Sequence, residues 1–178
     1  MQEQYYDHIQ VADLIRDVYA REPILEGGRE FYAFVSTALS WLPRETLDKV
    51  VRNCVYVEIT RNKNGIHLAC DDLIKKSVIV IFTDDLMENP KKVIYVILHE
   101  TAHHILGHRW LRGSSEDIKK EAVSNENAAN SLVIKWLTDY GKRFPEKREG
   151  LEELIASVKT VVFQHPVSPS EDSGVRRK

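Results

Sequence analysis

Val93-Ile94-Tyr95-Val96-Ile97-Leu98-His99-Glu100-Thr101-Ala102-His103-His104-Ile105-Leu106-Gly107-His108 is the stretch on which the reading of this chain turns. Within it His99-Glu100-Thr101-Ala102-His103 has the form His-Glu-x-x-His. Residues four apart lie on one face of a helix, so His99 and His103 are placed to offer a ring nitrogen each to one metal ion. Glu100 is turned about 100° from His99 and stands beside such an ion rather than against it. From there it is placed to accept a proton from a water acidified by the metal.

The helix is predicted on grounds separate from the motif. Asn89-Pro90 is a start signal, with Asn as cap and Pro in the first turn, where its missing N–H costs nothing. From Val93 to Leu106 apolar residues fall on every side of the helical wheel, as in a buried central helix. Two histidines and a glutamate inside such a helix call for partners, since buried polar groups without them are costly. A metal and its water meet that need. His104 and His108 lie well round the wheel from His99 and are expected to serve structure or to support the ligands.

The third ligand is sought downstream, because a catalytic zinc takes three protein ligands and keeps one position open. Two glutamates on the following predicted helix are candidates, Glu121 and Glu126. Glu126 falls within about 60° of the centre of that helix's apolar stripe, and Glu121 lies nearer its margin, so Glu126 is the better placed. The alternative for either is a surface charge paired with Lys119 or Lys120. Asn130 stands one turn beyond Glu126, where its amide is placed to orient a ligand.

These residues carry a resemblance. His99-Glu100-x-x-His103 with Gly107-His108, followed by Glu126-Asn127-Ala128-Ala129-Asn130, resembles the gluzincin peptidases, and among them most the ImmA/IrrE family, with its HExxHxxxGH and ExEANxFA patterns. Ala128 replaces a Glu of that pattern, and Leu132 and Val133 stand where Phe and Ala are usual. The match covers about the middle third of the chain. By position it implies zinc on His99, His103 and Glu126, Glu100 as general base, and Asn130 as the family asparagine. It further implies a bacterial or mobile-element setting and regulatory cleavage of a helix-turn-helix repressor.

The rest of the chain sets bounds. Its 178 residues suit one domain, expected over 1–165, and 43% apolar with 29% charged residues is a globular composition. A net charge of −2 gives no general pull toward nucleic acid or anionic membrane. The start of the chain has neither a basic segment nor an apolar core, and no apolar run reaches spanning length. No signal peptide and no membrane partner are therefore expected, and the expected location is the cytoplasm. Cys54 and Cys70 are expected as reduced core thiols, and the absence of CxxC excludes a second zinc module.

The expected fold class is α+β: a minimal zincin-like core with a small, mostly antiparallel sheet, the metal helix, a ligand helix and N-terminal helices. Residues 1–53 read as a helical layer, with helices over 5–20, 29–42 and 44–53. Residues 54–141 hold the sheet and the metal helices. Val55–Thr60 and Ile66–Cys70 are predicted strands joined by an Asn62–Gly65 hairpin turn, and Ser77–Phe82 is a third strand too apolar for an exposed face. The ligand helix is expected over 115–140 with Gly141 as its C-cap, and a last helix within 149–163. Residues 166–178 are expected to be a disordered tail.

The chemistry that follows is hydrolysis of a protein or peptide by a zinc endopeptidase, with no direct nucleic-acid partner. The sequence offers no secure candidate for an extra oxyanion donor: Tyr95 is on the metal helix and Tyr140 and His165 lie downstream, at positions relative to the metal that the sequence does not give. Two other readings use the same residues: a module that sequesters a regulator without cutting it, and a DNA-linked protease that clears crosslinks. The intact Glu100 speaks against the first, and the lack of a basic stripe against the second.

Overall fold

A computed structural model describes residues 5–6, 8–19, 25–59, 65–68, 76–82, 89–109 and 115–164. In chain order the elements are α1 (His8–Tyr19), β1 (Leu25–Glu26), α2 (Arg29–Ser40), α3 (Arg44–Asn53), β2 (Cys54–Ile59), β3 (Gly65–Leu68), β4 (Ser77–Phe82), α4 (Pro90–Ile105), α5 (Glu116–Arg143), a 3₁₀ turn (Pro145–Lys147) and α6 (Arg148–Gln164). The α+β class is as expected: helices flank a small sheet, and a helix bearing both histidines is followed by one bearing Glu126. The expected Asn62–Gly65 turn, Cys70 and the tail over 166–178 fall wholly or largely outside the described residues.

Helix α4 is the centre. Asn89 caps it, its Oδ1 accepting from the Lys92 N–H at 3.2 Å, and Pro90 occupies the first turn. Val93, Ile94, Val96, Ile97, Leu98, Thr101 and Ala102 are buried, so the all-round apolar pattern does mark an interior helix. It packs against α2, α5, β3 and β4. Ser115 caps α5 through the Ile118 N–H, with Glu116 and Asp117 in the first turn, where negative charge suits the helix dipole. No described helix is long and apolar enough to cross a membrane.

The sheet departs from the expected pairing. Its order is β1-β2-β4-β3, and β2 and β3 are not neighbours. Strand β4 lies between them, parallel to β2 from Cys54↔Ser77 to Ile59↔Phe82 and antiparallel to β3 from Gly65↔Ile81 to Leu68↔Val78. The two-residue strand β1 adds a second parallel pair, Leu25↔Tyr56 and Glu26↔Val57. The sheet is therefore mixed, and the simple hairpin is corrected. The physical reason lies in Ser77–Phe82, an almost unbroken apolar run that needs a neighbour on each side and both faces covered. Placing β4 inside leaves β3 at one end of the sheet, beside α4.

Gly141 is likewise not a C-cap. Helix α5 continues through it to Arg143 and is capped at Phe144. A Cβ on Gly141 would lie 3.4 Å from the Leu151 side chain, an ordinary contact, so α6 packs over this position without requiring a glycine there. Cys54 is a free, buried thiol whose pKa burial pushes up to about 12, which makes it inert.

One buried bond ties α4 to the sheet. Thr101 Oγ1 donates to the Ile97 carbonyl at 2.6 Å, so the Tyr56 hydroxyl, 2.8 Å away, donates to Thr101. Both side chains are almost fully buried. Thr101→Val removes the acceptor and strands the Tyr56 hydroxyl, at an expected cost of about 1–3 kcal/mol. Tyr56→Phe leaves Thr101 bonded to Ile97 and should cost only about 0.5–1.5 kcal/mol. Chemical denaturation of both variants checks the order, and a costlier Tyr56→Phe would reverse the donor assignment.

Candidate metal centre

The i, i+4 spacing on α4 brings the His99 and His103 rings together, with their Nε2 atoms 3.0 Å apart. Helix α5 crosses antiparallel to α4, for Glu126 meets His99 and His103 while Asn130, one turn later, meets Tyr95 and His99. Glu126 Oε2 lies 3.0 Å from His99 Nε2, and Oε1 lies 3.4 Å from His103 Nε2. Among the described residues these three form the group of His, Cys, Asp and Glu able to hold a metal ion. Glu121 is exposed and outside the cluster. Of the two candidate glutamates, Glu126 is the one that meets the histidines.

The donor set fits a metal. Four tetrahedral ligands about 2.0–2.2 Å from zinc stand about 3.3 Å from one another, close to the separations seen here. The tautomers point the same way. Asn130 Oδ1 accepts from the Tyr95 hydroxyl, and His99 Nδ1 lies 3.0 Å from the same oxygen. The network therefore assigns the His99 proton to Nδ1 and aims the Nε2 lone pair at the cluster. A lone pair facing a second imidazole nitrogen and a carboxylate is repulsive unless a proton or a cation sits between them. The His99 and His103 side chains are only 12% and 13% exposed, whereas that of Glu126 is 51% exposed, so the cluster opens to solvent on its carboxylate side.

The electrostatics of the metal-free chain show the same tension. Burial lowers the His99 pKa, but its bond to Glu126 and the charges of Glu126 and Glu100 outweigh that and leave it raised. Burial works against the Glu126 carboxylate too, and the hydrogen bonds from His103 and His99 overcome it, holding its pKa far below the usual range. The Tyr95 pKa is driven up by burial and by the nearby Glu126 and Glu100 charges, so the phenol stays protonated and remains a donor.

Asn130, 8% exposed, holds the outer nitrogen of His99 and so orients its ring. Tyr95 lies on α4 one turn before His99. Its hydroxyl binds Asn130 on the Nδ1 side of His99, away from the cluster, and so helps orient the ligand instead of offering an oxyanion donor. Tyr140 is buried among Tyr5, Trp41 and Phe144, and His165 lies outside the described residues. His104 Nδ1 sits 2.9 Å from Ser77 Oγ and links α4 to β4. His108 Nδ1 stands 3.0 Å from His103 Nδ1, and burial together with neighbouring His103 holds its pKa low. The Tyr95 signal was present in sequence, four residues before His99 on one helix face. Its direction depended on where α5 puts Asn130.

No protein-family model, curated protein or solved structure matches the chain. A His-His-Glu cluster on two helices beside a sheet, suited to a metal ion and consistent with metal-dependent hydrolysis, is what the geometry establishes.

Metal analysis of the purified protein should find about one zinc per chain, retained in Glu121→Ala and lost or greatly weakened in Glu126→Ala. Equal retention in both variants would exclude Glu126 as a ligand. Affinity should also depend on pH. Binding displaces a proton from His99, whose metal-free pKa lies above 6.5, so zinc affinity should fall as pH drops through that raised value. A titration flat from pH 8 to about 5.5 would show that His99 is not displaced by the metal.

Proposed function

We propose that this chain is a zinc-dependent endopeptidase of the gluzincin type, most like the ImmA/IrrE peptidases, carried by a single domain over residues 1–165. The observation that carries the reading is the meeting of His99, His103 and Glu126 on facing helices, with Glu100 on the same helix as both histidines. A zinc ion held there supplies Lewis acidity, polarising a peptide carbonyl and making water acidic near neutral pH. His99, His103 and Glu126 hold the ion, and Asn130 and Tyr95 fix the His99 ring. Glu100 serves as general base, taking the proton of the attacking water and delivering it to the leaving amine.

An edge of the sheet supports the reading. Strand β3 lies at the end of the sheet, antiparallel to β4 and packed beside α4. An extended peptide adding to that edge would be held by main-chain hydrogen bonds next to the metal helix. Such binding reads backbone more than side chains, which suits cleavage of a protein partner. The proposed partner is a transcriptional repressor of the helix-turn-helix class, and the proposed location the cytoplasm. The lack of a strong positive charge fits a protein substrate better than direct nucleic-acid binding.

The test uses zinc-loaded protein on a pooled library of fluorogenic peptides. Glu100→Gln should keep its zinc while hydrolysis falls by roughly a hundred- to ten-thousandfold. No chelator-sensitive hydrolysis by the zinc-loaded wild type, across the library and on a co-expressed repressor, would defeat the peptidase reading. Undiminished hydrolysis by Glu100→Gln would remove Glu100 from the mechanism.

A further inference from the structure

The end of α4 carries a device that the proposed chemistry does not use. Gly107 has φ +69°, a left-handed conformation that glycine adopts without strain. Its N–H donates to the His104 carbonyl at 3.1 Å, and the His108 N–H donates to the His103 carbonyl at 3.0 Å. This is the two-bond Schellman ending, in which the second residue past the cap folds back over the residue five before it. That pair is commonly two apolar side chains. Here it is His108 on His103, with ring centroids 5.0 Å apart and planes at 66°.

The contact is made by specific atoms. His103 Nε2 faces His99 and Glu126, and His103 Nδ1 lies 3.0 Å from His108 Nδ1. A histidine that gives one nitrogen to a metal usually donates its other N–H to a carboxylate, carbonyl or water, which fixes the tautomer and the ring. For His99 that partner is Asn130; on His103 the corresponding place is filled by an imidazole. We infer that His108 is a positioning residue for the metal centre, its Nδ1 accepting the His103 Nδ1–H so that Nε2 is left free for the ion. His108 then carries its own proton on Nε2, and the helix ending becomes part of the metal site. The two ligand histidines are thereby held from opposite sides, His99 by α5 and His103 by the turn that closes α4.

The inference rests on the metal reading of the cluster but not on peptidase activity, so it is tested by metal affinity. Zinc affinity is measured by competition with a chromophoric chelator for wild type, His108→Ala and His108→Asn, with thermal melting of each metal-free protein alongside. Asn places its Oδ1 where the His Nδ1 stands, so it keeps the acceptor and discards the ring. His108→Ala should bind zinc about ten- to a hundredfold more weakly, with metal-free melting close to wild type, and His108→Asn should restore most of the loss. Wild-type affinity in His108→Ala would overturn the inference. So would a loss in His108→Ala that Asn does not restore and that metal-free melting follows, because that is a packing role. A wild type that binds no zinc would overturn both this inference and the metal reading. Tight zinc binding with the expected variant pattern but no peptide hydrolysis would leave the inference standing and fail only the peptidase proposal.

Discussion

Everything in the site depends on one electrostatic constraint: two imidazole nitrogens and a carboxylate are held 3.0–3.4 Å apart between α4 and α5. Like-ended groups at that separation repel unless something positive stands between them. The fold resists their drifting apart because α4 is buried on most sides and cannot roll away without exposing Ile97, Leu98 and Ala102. Helix α5 is fixed by Val133, Trp136 and Leu137, all buried a few turns beyond Glu126. The packing thus keeps the three side chains converged, and a cation bound there would relieve the repulsion that the packing imposes.

The supporting groups show how local geometry extends this constraint. Asn130 and Tyr95 grip the outer nitrogen of His99, and His108 stands at the outer nitrogen of His103. Neither grip comes from a charged residue; the negative charge near His99 is that of Glu126 and Glu100. Thr101, between the two histidines, faces the other way and bonds to Tyr56 in the sheet. The same two turns of helix therefore point ligands toward α5 and an anchor toward β2. Glu126, half exposed, leaves the solvent side of the cluster open.

What could be read from the sequence follows the range of the interactions. The spacing of His99 and His103 and the Asn89-Pro90 start are local, and each stands where the sequence places it. Glu126 and Asn130 were legible at one remove, because the apolar stripe of α5 says which face looks inward. Strand pairing was not, since nothing within β2 or β3 says that β4 will come between them. The turn residues Asn64-Gly65 suggested a tight hairpin, yet the central place went to the most apolar strand. Gly141 misled too: a glycine near a helix end suits a cap, but α5 runs on through it to Arg143. The side of His99 on which Tyr95 acts was hidden too, because it is set by the packing of a helix that begins beyond α4.

The most direct test is anomalous diffraction at the zinc edge from crystals of the full chain grown with one equivalent of zinc. A single strong peak is expected about 2.0–2.2 Å from Nε2 of His99, Nε2 of His103 and a carboxylate oxygen of Glu126. No peak there, or a peak held by other residues with these three side chains turned apart, would contradict it.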